Sequence, residues 1–504
     1  MGIKRYIASR DNTITNGYGL DLSTRKTGSN MGASDILEVY SIYGQQTTSS
    51  VELSRVLVQF PISTISSDRS DGDIPVSGSV NFFLRLHNAR HSEQLPRDFT
   101  FNVMAVSQSW EEGYGLDMET YLDETRDSIQ GSNWMTASDG SAWYKAGGEF
   151  HSSSYVSGST MPNYTYTFAD GDEDILLDVT DAVEEWLSGN KSNYGFGVFL
   201  TASMEGYLSN SSGLDAGDHG EELHNTEGAQ KSFYTKRFFS RTSEFFFKRP
   251  ALEARWDSKV IDNRGNFYSS SSMAPSADNL NNLYLYNYIR GRLVDIPLTE
   301  TLKATLYSSS ADSPTGDGLA SATASKTSTG VYKAQISIDT TSSILNDVWS
   351  GSVGGEYKTG SIDVKSFNDN SVLLSDDYSQ FSTKITNLKP GYKSDETARF
   401  RVVARPRNFN PTIYTVASKE LQHTIIESAS FEIVRTVDNK TIINNSTGST
   451  TEHTYLSYDT SGSYFDLDMS LLEPGYMYGI KLLFYLSQNW REQEEVFNFR
   501  VENT

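Results

Sequence analysis

Short apolar runs, each ended by a polar turn, constrain this chain more than any other feature. "SRVLVQFPI" (54–62), "VNFFLRLHNA" (80–89), "FTFNVMAVS" (99–107), "FGVFLTA" (196–202), "LKATLYS" (302–308) and "VYKAQISI" (331–338) are rich in Val, Ile, Phe and Tyr. Ser, Asp, Gly and Asn clusters bound each run, the pattern that β-sandwich strands require. Only "LDVTDAVEEWLSGN" (177–190) reads as a helix, with Thr180 as N-cap, Val183, Trp186 and Leu187 on one face, and Gly189 as the stop. The expected class is therefore all-β. A chain of 504 residues is too long for one core, and its 37% hydrophobic content is enough for several.

Two polar stretches divide the chain. "DSKVIDNRGNFYSSSSMAPSADNLNN" (257–282) is turn-rich, and a softer break lies near "KELQHTII" (419–426). The expected units are 1–258, a jelly-roll-like β-sandwich, and 259–418 and 419–504, two immunoglobulin-like β-sandwiches. "FSTKITNLKPGY" (381–392) matches "FDLDMSLLEPGY" (465–476), which suits tandem modules. Pro474 fixes φ and Gly475 tolerates a positive φ, so the second copy makes a tight turn into a strand. Leu472, Pro474, Gly475 and Tyr478 resemble the Leu-x-Pro-Gly-x-x-Tyr of fibronectin type III domains. That resemblance implies a tyrosine corner, with the Tyr478 hydroxyl on a backbone group of the turn. The first copy has Glu396 or Thr397 near where that tyrosine would stand.

Composition excludes several functions. A formal charge of −22 opposes nucleic acid and anionic membranes as main partners. With no cysteine there is no disulfide framework, thiolate zinc site or cysteine nucleophile. The opening "MGIKRYIASRDN" has no apolar core after its basic residues, so it does not read as a signal peptide, and Tyr6 stands where a myristoylation motif wants Ser or Thr. No apolar span reaches the roughly 20 residues of a membrane helix, and no heptad pattern suggests a coiled-coil stalk. The seven histidines form no His-Glu-x-x-His pair, and no nucleophile elbow, P-loop or dinucleotide fingerprint is present. The expectation is a non-enzyme, although carboxylate pairs of the glycosidase kind leave no sequence signature.

Residues 1–258 carry the most specific pattern. Asp11, Thr13 and Ile14 open it, followed by Arg55, Leu57 and Phe60, then Val106, Trp110 and Glu112. Asn133, Trp134, Trp143, Gly147 and Gly148 form an insertion. Asp178, Val179, Thr180, Val183 and Trp186 form the helix, followed by Asn193, Tyr194 and Gly195, and Arg249, Pro250 and Leu252 close the unit. In this order the residues resemble the DNRLRE-type domain, a β-sandwich related to carbohydrate-binding modules and found in cell-surface and virion proteins. The resemblance implies a glycan-binding ancestry, for which Trp110, Trp134 and Trp143 are the stacking candidates. The competing reading puts them, with Trp186, Trp256 and Trp349, in cores. The long acidic segments 111–130 and 205–235 depart from the pattern, and such loops commonly carry specificity.

One metal candidate stands out. Asp170, Asp172 and Asp174 alternate as at the start of a calcium loop, although the later Gly and bidentate Glu are absent. A solvated acidic loop is the competing reading, as it is for Asp117, Glu119, Asp123, Glu124 and Asp127. No other cofactor is expected.

In the middle region, Leu283 and Leu285 alternate with Tyr284 and Tyr286, a strand expected to expose its tyrosines. "NNLYLYNYIRGR", "TGVYKA" and "FNPTIYT" together resemble structural proteins of tailed phages, notably cyanophages. That resemblance implies a virion protein of the neck, tail or capsid exterior, assembled in the host cytoplasm. Its partners would be other virion proteins and further copies of itself, with no nucleic acid and no membrane. The alternative is an adhesin gripping host-surface glycan through 1–258, and a hydrolase accessory module is a third reading.

Overall fold

The computed structural model of the chain describes residues 2–503 except 45–50, 91–95, 120, 122–129, 152–160, 209–224, 309–317, 353–354, 367–380, 411, 414–422, 448–451 and 487. Strand dominates, so the all-β class holds, and the chain divides into two compact units, Gly2–Trp256 and Asp257–Thr504.

In the first unit a four-stranded antiparallel sheet runs Gly2–Ile7, Ala251–Trp256, Asn81–Leu86, Ile175–Asp178. Its first and last strands in sequence pair with each other, Gly2 against Trp256 through Ile7 against Ala251. The facing sheet runs Phe233–Phe239, Ile36–Tyr43, Val51–Gln59, Phe196–Leu200, Phe99–Ala105, Asn163–Phe168, with Arg10–Thr15 also on Val51–Gln59. Val56, Val58, Phe82, Leu84, Phe101, Phe196 and Phe238 fill the space between the sheets.

The second sheet is also covered on its outer side. Val51–Gln59 is buried on both faces: Val56 and Val58 point into the sandwich, while Leu53 and Leu57 meet a separate core. That core collects Trp110, Trp134, Trp143, Ala146 and Phe150, and the described stretches 106–119 and 130–150 that carry them form a third layer over the sheet. A near-continuous apolar run such as "RVLVQF" is the sequence of a strand with a core on either side.

The helix expected at 177–190 spans Thr180–Leu187 and buries Ala182, Val183 and Trp186. Thr180 is its first residue and not its cap. Its Oγ1 accepts the Phe82 N–H at 2.8 Å, and Asp178 Oδ1 takes the Thr180 N–H at 3.0 Å. A second helix, Ile62–Asp71, was not expected, because its serine-rich "ISTISSDRSD" buries only Ile65. Partners from elsewhere hold it: Arg69 reaches both Glu184 carboxylate oxygens at 2.6 and 2.8 Å, and Asp68 accepts from Tyr6 and Lys4.

The second unit begins with a seven-stranded sheet ordered Phe267–Tyr268, Gly355–Lys365, Ile344–Ser352, Leu298–Tyr307, Ala320–Ser328, Val331–Ile336, Asn281–Tyr286. Its two end strands meet through one side chain. Asn281 Oδ1 accepts the Tyr268 N–H at 3.0 Å and Asn281 Nδ2 donates to Tyr268 O at 2.9 Å, replacing a backbone rung. The sheet thus curls around Leu283, Leu302, Leu306, Leu345, Trp349 and Ile362.

The remaining strands form a sandwich. Phe381–Ile385, Thr397–Pro406, Gly462–Asp468 and Ser457–Asp459 make one sheet. Gly391–Lys393, Phe497–Glu502, Met477–Leu486, Ala429–Arg435 and Lys440–Ile443 make the other, with Asn489–Glu492 added on Met477–Leu486. The boundary expected at 418/419 is therefore corrected, because Thr397–Pro406 pairs along Gly462–Asp468 and both Pro-Gly copies belong to one sandwich. The two turns flank the last strand: Pro390 O accepts the Arg500 N–H and Val501 O accepts the Gly475 N–H, at 2.9 and 2.8 Å. The repeat marks two halves of one module. Gly475 has φ +93°, and the fully buried Tyr478 donates its hydroxyl to Glu473 O at 2.9 Å, as a tyrosine corner requires. In the first copy Tyr392 does the comparable work, its hydroxyl accepting the Lys389 N–H at 2.9 Å.

Candidate functional site

The stacking candidates are all interior. Trp110, Trp134 and Trp143 are 1%, 0% and 0% exposed, so none offers a ring face to a sugar, and the glycan assignment to these residues is corrected. Trp110 Nε1 donates to Tyr194 O at 2.7 Å and Trp143 Nε1 to Asn133 O at 2.8 Å. Buried Arg55 lies 5.4 Å from the Trp134 ring and 4.7 Å from that of Phe199. Its guanidinium donates to Glu205 Oε1 at 2.8 and 3.2 Å and to Gly147 O at 3.0 Å. Gly147, at φ +88°, lies so close to Trp134 that a Cβ would sit 2.8 Å from its ring. The layer is a packed core built around a satisfied cation.

The calcium candidate is corrected for a related reason. Asp170 and Asp172 are exposed, whereas Asp174 turns inward, accepting the Asn88 N–H and pairing with His87 Nδ1, each at 2.8 Å. Glu173 gathers the N–H groups of Ala169, Asp170 and Gly171 at 2.7–2.8 Å. A cation already occupies the inner side of the loop. Lys236 Nζ donates to Gly171 O, Glu173 O and Asn88 Oδ1 at 2.8–2.9 Å, and lies 4.7 Å from the Phe168 ring. Burial pushes Lys236 down to about 8, against the upward pull of Glu173, Asp174 and Asp172. The carbonyls of this acidic turn thus serve an ammonium group of the same chain. Among the described residues no three His, Asp or Glu side chains are placed to hold a metal ion. Of the other acidic group, Asp117 Oδ1 takes the Glu119 N–H and Glu119 Oε1 takes the Leu20 N–H, while Asp123, Glu124 and Asp127 lie outside the described residues.

Asp174 leads into a second charged chain that the sequence did not single out. His87 Nε2 accepts from Arg85 Nε at 3.1 Å, so His87 Nδ1 carries the proton given to Asp174. Arg85 lies 3.9 Å from Glu253, which also binds Arg5 at 2.7 Å and Arg255. Burial pushes Glu253 up, but the three guanidinium groups outweigh it and hold the carboxyl below its usual range.

In the second unit the short turn Asn263–Gly265 is the joint between curled sheet and sandwich. Asn263 Nδ2 donates to the Tyr458 hydroxyl at 3.0 Å, and Asp262 N–H to Tyr458 O. Arg264 reaches both oxygens of the buried Asp347 at 2.6 and 2.8 Å, and Thr359 and Trp349 donate to the same carboxylate. Tyr284, expected to be exposed, is buried, and burial in the field of Asp262 and Tyr464 pushes it up to about 12.

A groove of about 580 Å³ lies beside this sheet, lined by Ser269–Ser272, Asp339–Ser343 and Val364–Ser366. Its walls are hydroxyl-rich and carry no aromatic ring, so it offers no stacking platform. Rings instead gather on the sandwich. Tyr485 and Trp490, a cross-strand pair, have centroids 5.4 Å apart, and Tyr455 lies 6.4 Å from Trp490. Tyr485 is 44% exposed. The signal was a tryptophan within the polar "SQNWREQEE", where no core strand would hold it.

No family model and no curated protein matches the chain. Among solved structures, the Yersinia pseudotuberculosis adhesin InvE aligns at 12% identity over 47% of this chain and 56% of its own, with a TM-score of 0.15. This chain thus spans just over half of that structure. A DUF4785 family protein from Legionella pneumophila aligns at 8% identity over 92% of this chain and 90% of its own, at 0.14. The chicken CNTN1 FN1–FN3 domains align at 8% over 54% and 82%, also at 0.14. Overlaps this weak carry no argument. Among the described residues no helix is long and apolar enough to cross a membrane.

Proposed function

We propose that the chain is a non-enzymatic structural protein of a tailed-phage virion, an accessory piece of neck, tail or capsid exterior acting through protein–protein assembly. The observation that supports it is the use made of the residues that chemistry would need. Trp110, Trp134, Trp143, Lys236, Glu253 and Asp347 are each engaged within the chain, in cores or paired charges. The resemblance of residues 1–258 to DNRLRE-type domains, and of the middle region to phage structural proteins, gives the assembly its proposed context. Quantitative mass spectrometry of purified particles, counting this chain against the major capsid protein, tests it. A fixed copy number compatible with particle symmetry is expected, and absence from the particles would overturn the reading.

A glycan-binding adhesin is the second reading, favoured by the cluster of Tyr455, Tyr485 and Trp490 and not by the N-terminal tryptophans. Retention on a glycan array that Tyr485→Ala and Trp490→Ala abolish would put this reading first.

A further inference from the structure

A small hairpin in the second unit places an arginine at a strained position of its turn. Tyr288 pairs with Leu293 and Ile289 with Arg292, so Arg290 and Gly291 are the two central residues of the turn. Both have positive φ, +52° and +78°, the geometry of a type I′ turn. Such turns favour Asn, Asp or Gly at the first central position, because a side chain there is strained. Arginine is a poor choice for folding at this place.

The base of the hairpin is fixed. Asn287 and Val294 exchange backbone and side-chain hydrogen bonds at 3.0 and 2.7 Å, and Asn287 N–H donates to Gly330 O at 2.8 Å. Asp295 accepts the Gly330 N–H and pairs with Lys326. Gly330 packs so closely that a Cβ would lie 2.8 Å from Val294 N. Beyond this base the hairpin is open. Tyr288, Ile289 and Val294 are 61%, 51% and 38% exposed, and Arg290 and Arg292 are exposed too. Neither guanidinium has an ion-pair or hydrogen-bond partner among the described residues. Elsewhere Arg55, Arg69, Arg255, Arg264, Arg399 and Arg435 are each paired with a carboxylate.

We infer that this hairpin is a docking element for the acidic surface of a second copy of the chain. Tyrosine and arginine beside exposed aliphatic groups, on a rigid base, have the composition and preorganisation of an interface hot spot. The partner's chemistry follows from charge. Two unpaired arginines in a chain of net charge −22 seek carboxylates, and every copy supplies them in excess. The inference rests on the assembly reading and names one of its contacts.

Sedimentation equilibrium of the full chain tests it. Self-association is expected at low salt and is lost at about 1 M salt, where the screening length is only about 3 Å. Arg290→Glu and Arg292→Glu should each weaken it by about tenfold or more, and Ile289→Ser less. Arg290→Asn separates binding from folding, since it suits the turn better yet removes the guanidinium. It is expected to leave the chain at least as stable as wild type and still weaken association. A wild-type chain that stays monomeric at about 0.1 mM, or variants that associate like wild type, would overturn the inference. So would vesicles of phosphatidylserine and phosphatidylcholine that bind the wild type and not the variants, in place of self-association. The two readings fail separately. Arg290→Glu chains incorporated into particles at normal copy number would sink the hairpin contact alone, whereas self-association by a chain absent from particles would sink the virion reading alone.

Discussion

Lys236 and Arg290 are both cations in strand-rich surroundings, and the chain treats them in opposite ways. Lys236 is 1% exposed, and its ammonium is enclosed by two carbonyls, an amide oxygen and a phenylalanine ring. Arg290 stands at the tip of a hairpin in a backbone conformation that suits glycine. A buried charge must find partners or the fold loses several kcal/mol, so its neighbours are explained by stability. An exposed charge in a strained turn is not explained that way. The difference separates residues that answer to folding from those left over for another molecule.

If that separation is sound, the largest stability losses come from the enclosed charges. Asp347 is the extreme case, buried and bound by Arg264, Thr359 and Trp349. Asp347→Ala leaves the Arg264 guanidinium with only the more distant carboxylate of Asp262, 3.8 Å away, and is expected to destabilise the second unit by about 3–5 kcal/mol. Chemical denaturation checks this, and a loss below about 1 kcal/mol would remove the ion pair from the account of the joint.

Lys236 sharpens the comparison because its effect depends on pH. Its native value is about 8 against 10.5 for a free lysine. Between those values the unfolded chain holds a proton that the native chain has released, so raising the pH favours the native state. Wild type is therefore expected to gain stability from about pH 8 to about pH 10 relative to Lys236→Met. At pH 7 that variant should lose about 1–3 kcal/mol, because Gly171 O, Glu173 O and Asn88 Oδ1 lose their shared donor. Parallel denaturation curves at several pH values measure both, and identical pH profiles would show that the ammonium is not enclosed as described.

How much of this was legible follows the same division. The strand runs were readable, because period-two and continuous apolar patterns report which faces are covered. The run 54–60 even encodes its two cores, although only the structure identifies the outer one as the tryptophan layer. The helix Ile62–Asp71 was not legible, since its stability comes from Glu184, Tyr6 and Lys4, which are distant in sequence. The Pro-Gly repeat was visible but its meaning was not. Two turns flanking one strand and two turns in separate modules leave the same trace. The acidic triplet Asp170, Asp172 and Asp174 misled because the cation it faces comes from Lys236, which lies more than sixty positions away. In "FYTKRFF" the lone lysine among phenylalanines was the available sign of a buried charge.

Tyr478→Phe tests a middle case, a buried hydroxyl with one partner. It removes the bond to Glu473 O without opening a cavity, so a loss of about 1 kcal/mol is expected. A larger loss would mean that the corner also sets the register of Met477–Leu486 against Phe497–Glu502, in which Tyr478 stands opposite Phe499.

The smallest effect bears most directly on the comparison. Arg290→Asn replaces a residue strained at φ +52° by one that tolerates that region. The side chain makes no ion pair or hydrogen bond within the described residues whose loss would offset the gain, so stability should rise by a few tenths of a kcal/mol, about 0.5 at most. A stabilising substitution at an exposed tip means that the native residue is kept for something other than the fold. If thermal unfolding instead shows a loss of about 1 kcal/mol or more, Arg290 has a structural partner, and the hairpin joins Lys236 among the residues that folding alone explains.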